Sequence, residues 1–331
     1  MTCASSLPTP RRSCPQPYPP REPSPVGTAA DVIIRCMTGM ETPYFGRLAT
    51  AMVTPFDAAG ALDLTAARQL AAYLVDDQQN DSLVINGTTG EAPTTSDDEK
   101  RALVEAVVAE VGDRAKIIAG VGTPDTAHSI ALAKDAAKAG AQGLLIVTPY
   151  YSLPPQDAIA AHMSAIADAT DLPAILYDIP HRTGRAIETD TLLHLAEHPN
   201  IVGVKDAKKD LSASARVIAE TGLAYYSGDD AYTLPLLSVG AVGVVGTSTH
   251  FTGASTATMI DAYLAGNLAE ALAWFQRLLP VYTGVFAMQG CVLVKSGLAH
   301  LGRPAGDVRR PLLPASPAQA ATFDALLDAL S

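Results

Sequence analysis

The hydrophobic pattern of the chain changes near residue 44 and then repeats. Eight short runs are apolar at successive positions instead of alternate ones: 48–54, 82–86, 116–121, 143–148, 174–179, 201–205, 223–227 and 241–246. A strand that is apolar on both faces must be covered on both, the pattern of parallel strands layered with helices. Between these runs, 64–75, 98–111, 126–139 and 156–169 are rich in Ala and Leu at helical spacing. Asp63, Ser96 and Asp125 precede the first three and offer oxygens to otherwise unpaired first-turn amides. A Pro154-Pro155 step precedes the fourth, and Gly112, Gly140 and Gly222 mark helix ends. Eight such beats over about 200 residues predict an α/β fold of the (β/α)8 TIM-barrel class. A doubly wound dinucleotide fold would need Gly-x-Gly-x-x-Gly after the first strand, where the chain reads Thr54-Pro55-Phe56-Asp57. The helical pattern then continues to residue 330, most clearly over 267–279 and 317–330. The catalytic barrel is therefore assigned to 44–252 and a C-terminal helical extension to 253–331.

Residues 1–43 follow other rules. Eight prolines crowd this segment between Pro8 and Pro25, with serines and arginines among them. Such a stretch has too little apolar surface to offset its ordering entropy, so a disordered tail is predicted. Its longest apolar run, Val32-Ile33-Ile34, is too short for a secretory signal. The prolines also oppose the amphipathic helix of an organelle transit peptide. Met37 and Met40 stand just before the regular pattern and are alternative starts.

Charge narrows the function classes. The net charge of -11 disfavours nucleic acid and anionic membrane surfaces as partners. No apolar run reaches membrane-spanning length, and a cytoplasmic protein is expected. Cys3, Cys14, Cys36 and Cys291 form no Cys-x-x-Cys pair, so neither a disulfide framework nor a zinc site is predicted. The histidines show no metal-ligand spacing, and no metal or cofactor is expected.

In a (β/α)8 barrel the chemistry lies at the C-terminal ends of the strands. Those ends carry Asn86-Gly87-Thr88-Thr89-Gly90-Glu91, Thr148-Pro149-Tyr150-Tyr151, Tyr177-Asp178-Ile179-Pro180-His181-Arg182, Val204-Lys205-Asp206 and Ser227-Gly228-Asp229-Asp230. A lysine following Ile-Val-Gly-Val either snorkels to solvent or points into an apolar mouth, where burial lowers its pKa and frees an amine for Schiff-base formation. Tyr177 is either a core tyrosine or a proton relay near the barrel axis. The Thr88-Thr89 turn is either a tight loop or an anion nest, and Arg182 either a solvated charge or a bidentate carboxylate clamp. Taken together, the four describe an enzyme that builds an enamine from a 2-oxo acid.

In order and spacing these segments, with Gly203-Val204-Lys205-Asp206-Ala207, resemble the dihydrodipicolinate synthase family within the class I pyruvate aldolases. The resemblance runs from about Arg47 to the C-terminus. It implies that Lys205 forms the Schiff base with pyruvate, while Tyr177 relays protons through Thr88 to Tyr151 of a neighbouring subunit. It implies that Thr88 and Thr89 hold the pyruvate carboxylate, that Arg182 holds L-aspartate 4-semialdehyde, and that Gly228 and Val245 line the pocket. The product would serve lysine and diaminopimelate biosynthesis, and the assembly would be a homotetramer built as a dimer of dimers. The rivals are a sister lyase or dehydratase, acting on N-acetylneuraminate or a 2-keto-3-deoxy sugar acid, and a non-catalytic barrel that senses a small acid. The Gly-Thr-Thr-Gly-Glu turn and Arg182 favour the synthase branch.

Several positions depart from the family pattern. Asp178 stands where asparagine is common, and Gly246 is expected to enlarge the eighth-strand wall of the pocket. Asp97 and Lys100 occupy positions held by two histidines in lysine-inhibited members, and Pro124 replaces an effector-contacting asparagine. Insensitivity to lysine is therefore expected.

Overall fold

The computed structural model describes residues 42–303 and 305–330. The predicted disordered tail therefore falls outside the described residues, apart from Thr42 and Pro43. Eight parallel strands close into a barrel in sequence order. They are β1 (Leu48–Ala51), β2 (Ser82–Ile85), β3 (Lys116–Gly120), β4 (Gly143–Val147), β5 (Ala174–Asp178), β6 (Ile201–Asp206), β7 (Ala224–Ser227) and β8 (Gly243–Gly246). Each coincides with one predicted run, shifted by at most a few residues at an end. The runs are mainly apolar because each strand packs side chains both into the barrel and against the helical layer.

The barrel helices are α1 (Leu64–Ala72), α2 (Asp97–Val111), α3 (Thr126–Lys138), α4 (Gln156–Ala167), α5 (Thr189–Leu195), α6 (Leu211–Glu220), α7 (Thr233–Leu237) and α8 (Thr249–Leu264). Asp63, Ser96 and Asp125 cap α1, α2 and α3 as expected, and Ser96 forms a reciprocal capping box with Glu99. Each such cap contributes about 1 kcal/mol. The last turn of the first helical stretch opens instead into a π-turn over Tyr73–Asp77.

Helix α8 runs across the boundary expected at 252/253. It covers β8, so the barrel layer extends to Leu264 and the extension proper is α9 (Leu268–Gly284), α10 (Gly290–His300) and α11 (Pro317–Asp328). The extension is fastened to the barrel by long-range contacts. The Arg309 guanidinium lies 3.9 Å from the Phe56 ring centre, bonds the Gly60 and Thr94 carbonyls, and pairs with Glu99. Deeper in the same junction, Lys295 of α10 and Glu91 form a buried ion pair at 2.7 Å.

Candidate active site

The strand register assembles the site. Tyr177 on β5 is level with Lys205 on β6, and side chains level on adjacent strands share one face. The Lys205 ammonium therefore sits 4.3 Å from the centre of the Tyr177 ring. Both residues are buried, and they line a cavity of about 640 Å³ with Thr88, Thr89, Arg182, Gly228 and Thr247. Gly228 sits at a close approach. A methyl group on its Cα would lie 3.1 Å from the Lys205 Cγ and 3.2 Å from the Ala207 Cβ.

Electrostatics at the site favour a reactive amine. Lys205 is 4 % exposed, and no ion pair joins it to a carboxylate among the described residues. Burial pulls its pKa down to about 8; the buried Asp230 carboxylate opposes the shift and Arg182 reinforces it. Burial also raises the Tyr177 phenol above its ordinary value, against the Arg182 charge and a hydrogen bond with Thr88. Tyr177 thus holds its proton at neutral pH and is hydrogen-bonded to the Thr88 side chain.

Arg182 projects from a single helical turn, Pro180–Thr183, and its guanidinium donates to Gln289 Oε1 at 3.1 Å. Together with Lys205, Lys208 and Lys209 it places four cationic groups around one cavity of an otherwise acidic chain. The arrangement suits a small dianion or two carboxylates, with an amine nucleophile between them.

The chain matches the Dihydrodipicolinate synthetase family over residues 44–330. It belongs to that family. It is 59% identical over 289 residues to the 4-hydroxy-tetrahydrodipicolinate synthase of Cutibacterium acnes, covering 87% of this chain and 99% of that protein. It is 60% identical over 284 residues to the enzyme of the same name from Acidothermus cellulolyticus, covering 86% and 92% respectively. Among solved structures, dihydrodipicolinate synthase DapA-2 from Bacillus anthracis superposes with a TM-score of 0.84 at 39% identity, covering 87% of this chain and 99% of that one. The Cyanidioschyzon merolae structure with lysine bound gives 0.85 at 39% identity, with the same coverage.

Not every expected residue of the family site lies at the cavity. Val245 is buried in β8 and is not among the lining residues; the residue presented there, just past the end of β8, is Thr247. The Thr247 hydroxyl lies 3.3 Å from that of Thr89 and so steadies the turn. Sequence reasoning missed Thr247 because a threonine one residue past a strand carries no distinctive signal. Tyr151 is 93 % exposed, with its backbone in the left-handed region at φ 70°, and does not enter this chain's cavity.

The expectation for Gly246 is corrected. A methyl group on its Cα would lie 2.5 Å from the Asp230 carboxylate and 2.6 Å from Thr249 Cγ2. Glycine there makes room for Asp230, not for a larger substrate. Asp230 in turn accepts hydrogen bonds from the Thr247 and Ser248 amides and the Ser248 hydroxyl. At the positions tied to lysine inhibition, Asp97 pairs with His128 at 2.9 Å and Lys100 donates to the Thr95 carbonyl.

Proposed function

We propose that this member of the family is a 4-hydroxy-tetrahydrodipicolinate synthase in which Lys205 condenses with pyruvate and L-aspartate 4-semialdehyde is the second substrate. The carrying observation is a buried lysine with no carboxylate ion-pair partner among the described residues, set over a buried tyrosine ring, with a threonine turn and an arginine around it. The names of the curated relatives support the same activity.

The neutral Lys205 amine attacks C2 of pyruvate, whose carboxylate rests on Thr88 and Thr89. Tyr177 supplies the proton with which the former carbonyl oxygen leaves as water. Loss of a proton from C3 turns the imine into an enamine, and C3 bonds to the aldehyde carbon as the aldehyde oxygen takes a proton. The amine of the second substrate then displaces Lys205 from C2, which closes the ring and releases the lysine. Arg182 holds that substrate's carboxylate throughout.

Tyr151 belongs to this reading as a residue lent to a second copy of the chain, in a homotetramer made of two dimers in the cytoplasm. Its exposed ring and left-handed backbone support that role. So does a second cavity of about 320 Å³ that shares Thr88 and Arg182 with the first and is lined by Val147, Tyr150 and Leu312. The reading also includes insensitivity to lysine, because the Asp97–His128 and Lys100–Thr95 contacts occupy those side chains.

Incubation with pyruvate followed by borohydride tests the centre of the proposal. The expected result is a reduced pyruvyl adduct on Lys205, located by peptide mass spectrometry, with turnover on aspartate semialdehyde and none on N-acetylneuraminate. An unmodified Lys205 overturns the mechanism, and turnover reversed between the two substrates overturns the substrate. Millimolar L-lysine is expected to leave the rate unchanged.

A further inference from the structure

Tyr177 faces the cavity, so the next residue on β5, Asp178, faces the opposite side of the strand. There it is buried against the loop that returns from Arg182. Its Oδ1 accepts the Ile187 amide at 3.1 Å, and its Oδ2 pairs with Lys208 at 3.3 Å. Lys208 in turn donates to the Ile187 carbonyl at 3.2 Å. Both backbone groups of one loop residue are thus bound by the two ends of a single ion pair. The flanking groups, the Ala186 carbonyl and the Glu188 amide, are bound by Gln156 of α4.

The same pair reaches the Schiff-base strand. Lys208 lies three residues beyond Lys205, its amide donates to Asp206 Oδ1 at 2.7 Å, and the Ala207 amide donates to the Asp178 carbonyl at 2.8 Å. Asp178 is also level with Asp206 across the β5–β6 ladder. The end of the segment carrying Arg182 and the end of the strand carrying Lys205 are therefore fixed to each other through Asp178 and Lys208.

We propose that the Asp178–Lys208 pair is a positioning device: by gripping Ile187 it holds the Arg182 loop at the cavity and sets the affinity for the carboxylate-bearing second substrate. This rests on the reading of Arg182 given under the proposed function. Protonation of Asp178 removes the charge on which the grip depends. Burial raises its carboxyl to about 6, with Lys208 and the Ile187 amide opposing and Asp206 reinforcing. Two other titratable groups stand near. Tyr225 on β7 feels both Asp206 and Asp178 and is raised far out of this range. His181, beside Arg182, is lowered from its usual value by burial and by the Arg182 charge.

The sign follows. Asp178 is ionised above about pH 6, so the loop is held at pH 7.5 and released as the pH falls towards 5. The test is D178N, whose amide can still accept from Ile187 but carries no charge for Lys208, with K208Q as the second variant; Lys208 also lines the cavity, so D178N, whose side chain does not, decides the positioning role. Borohydride trapping of pyruvate on Lys205 is measured first. In both variants the adduct is expected to form as in the parent. The KM for aspartate semialdehyde is expected to rise about fivefold to tenfold at pH 7.5, the size of one ordinary hydrogen bond, with the pyruvate KM unmoved. In the parent that KM is expected to climb as the pH falls from 7.5 to 5, and in the variants to stay flat.

If the KM of D178N keeps the parent's pH dependence, His181 is its source and the proposal is overturned. Equal rises in both KM values also overturn it, because they report a general loosening of the site. Absence of the pyruvate adduct in the parent overturns the reading of the site itself, and the positioning role with it.

Discussion

Two buried lysines differ in their partners but are close to twins in burial and aromatic contact. Lys205 is 4 % exposed and its ammonium is 4.3 Å from the Tyr177 ring; Lys295 is 3 % exposed and lies 4.3 Å from the Phe56 ring. The difference lies in the company of their nitrogens. Lys295 meets the Glu91 carboxylate at 2.7 Å and donates to the Asp307 carbonyl at 2.8 Å. Lys205 has neither kind of partner among the described residues and opens onto the cavity instead. Burial lowers both pKa values, but only at Lys295 does an adjacent carboxylate oppose it at contact distance. A buried lysine is thus made structural or reactive by one carboxylate, more than by burial or an aromatic neighbour.

The largest expected effect separates the two directly. Lys205→Ala should abolish the pyruvate adduct and lower turnover by about 10³-fold or more, as loss of a covalent nucleophile does. Lys295→Met should still form the adduct on Lys205. If the adduct moves to Lys295, the contrast collapses.

Next in size is stability. Lys295→Met or Glu91→Gln alone should destabilise the protein by about 3–5 kcal/mol, because each leaves a buried group without its partner. The double variant should recover most of that loss, since removing both partners leaves no unpaired charge. Urea midpoints check this, and a double variant as weak as the sum of the singles would show that the pair acts through something other than charge.

The smallest effect is a shift along the pH axis. With Lys205 near 8, its neutral fraction, and with it the initial trapping rate, should rise about tenfold between pH 6.5 and 7.5 and level off above about pH 9. A rate still climbing at pH 10 would mean an ordinary lysine, and the two lysines would differ less than their surroundings suggest.

The barrel was legible because a parallel strand covered on both faces must be apolar through its middle, and β1 to β8 follow that pattern with polar or charged residues mostly at their ends. The caps at Asp63, Ser96 and Asp125 were legible because one oxygen before an apolar-periodic stretch has few other uses. The π-turn at Tyr73–Asp77 was not, since its side-chain pattern continues that of α1 while tertiary contacts choose the backbone. The start of α8 was hidden in Ser248-Thr249-His250, polar residues that read as a loop but are buried against β1 and β8.

At the site, Lys205, Tyr177, Thr88, Thr89, Arg182 and Gly228 could be found by asking what stands at strand ends. The supporting residues could not. Glu91, Lys295, Asp178 and Lys208 are charged residues whose partners lie far along the chain, and sequence carries no sign of which charge meets which. Gly246 misled for a related reason. A missing side chain reads as empty space, yet the space was already taken by Asp230, sixteen residues earlier.

The junction around Glu91 also sets an order of events during synthesis. Glu91 closes the turn that carries Thr88 and Thr89, and its carboxylate is held by Lys295 and by the Arg309 amide, 218 residues downstream. A nascent chain that has emerged as far as Leu264 owns every strand and helix of the barrel. It still lacks the cation and the amide that fix this turn. At ordinary translation rates the remaining stretch takes roughly 2–9 s to arrive. During that interval the Glu91 carboxylate has neither of the partners that hold it in the folded protein.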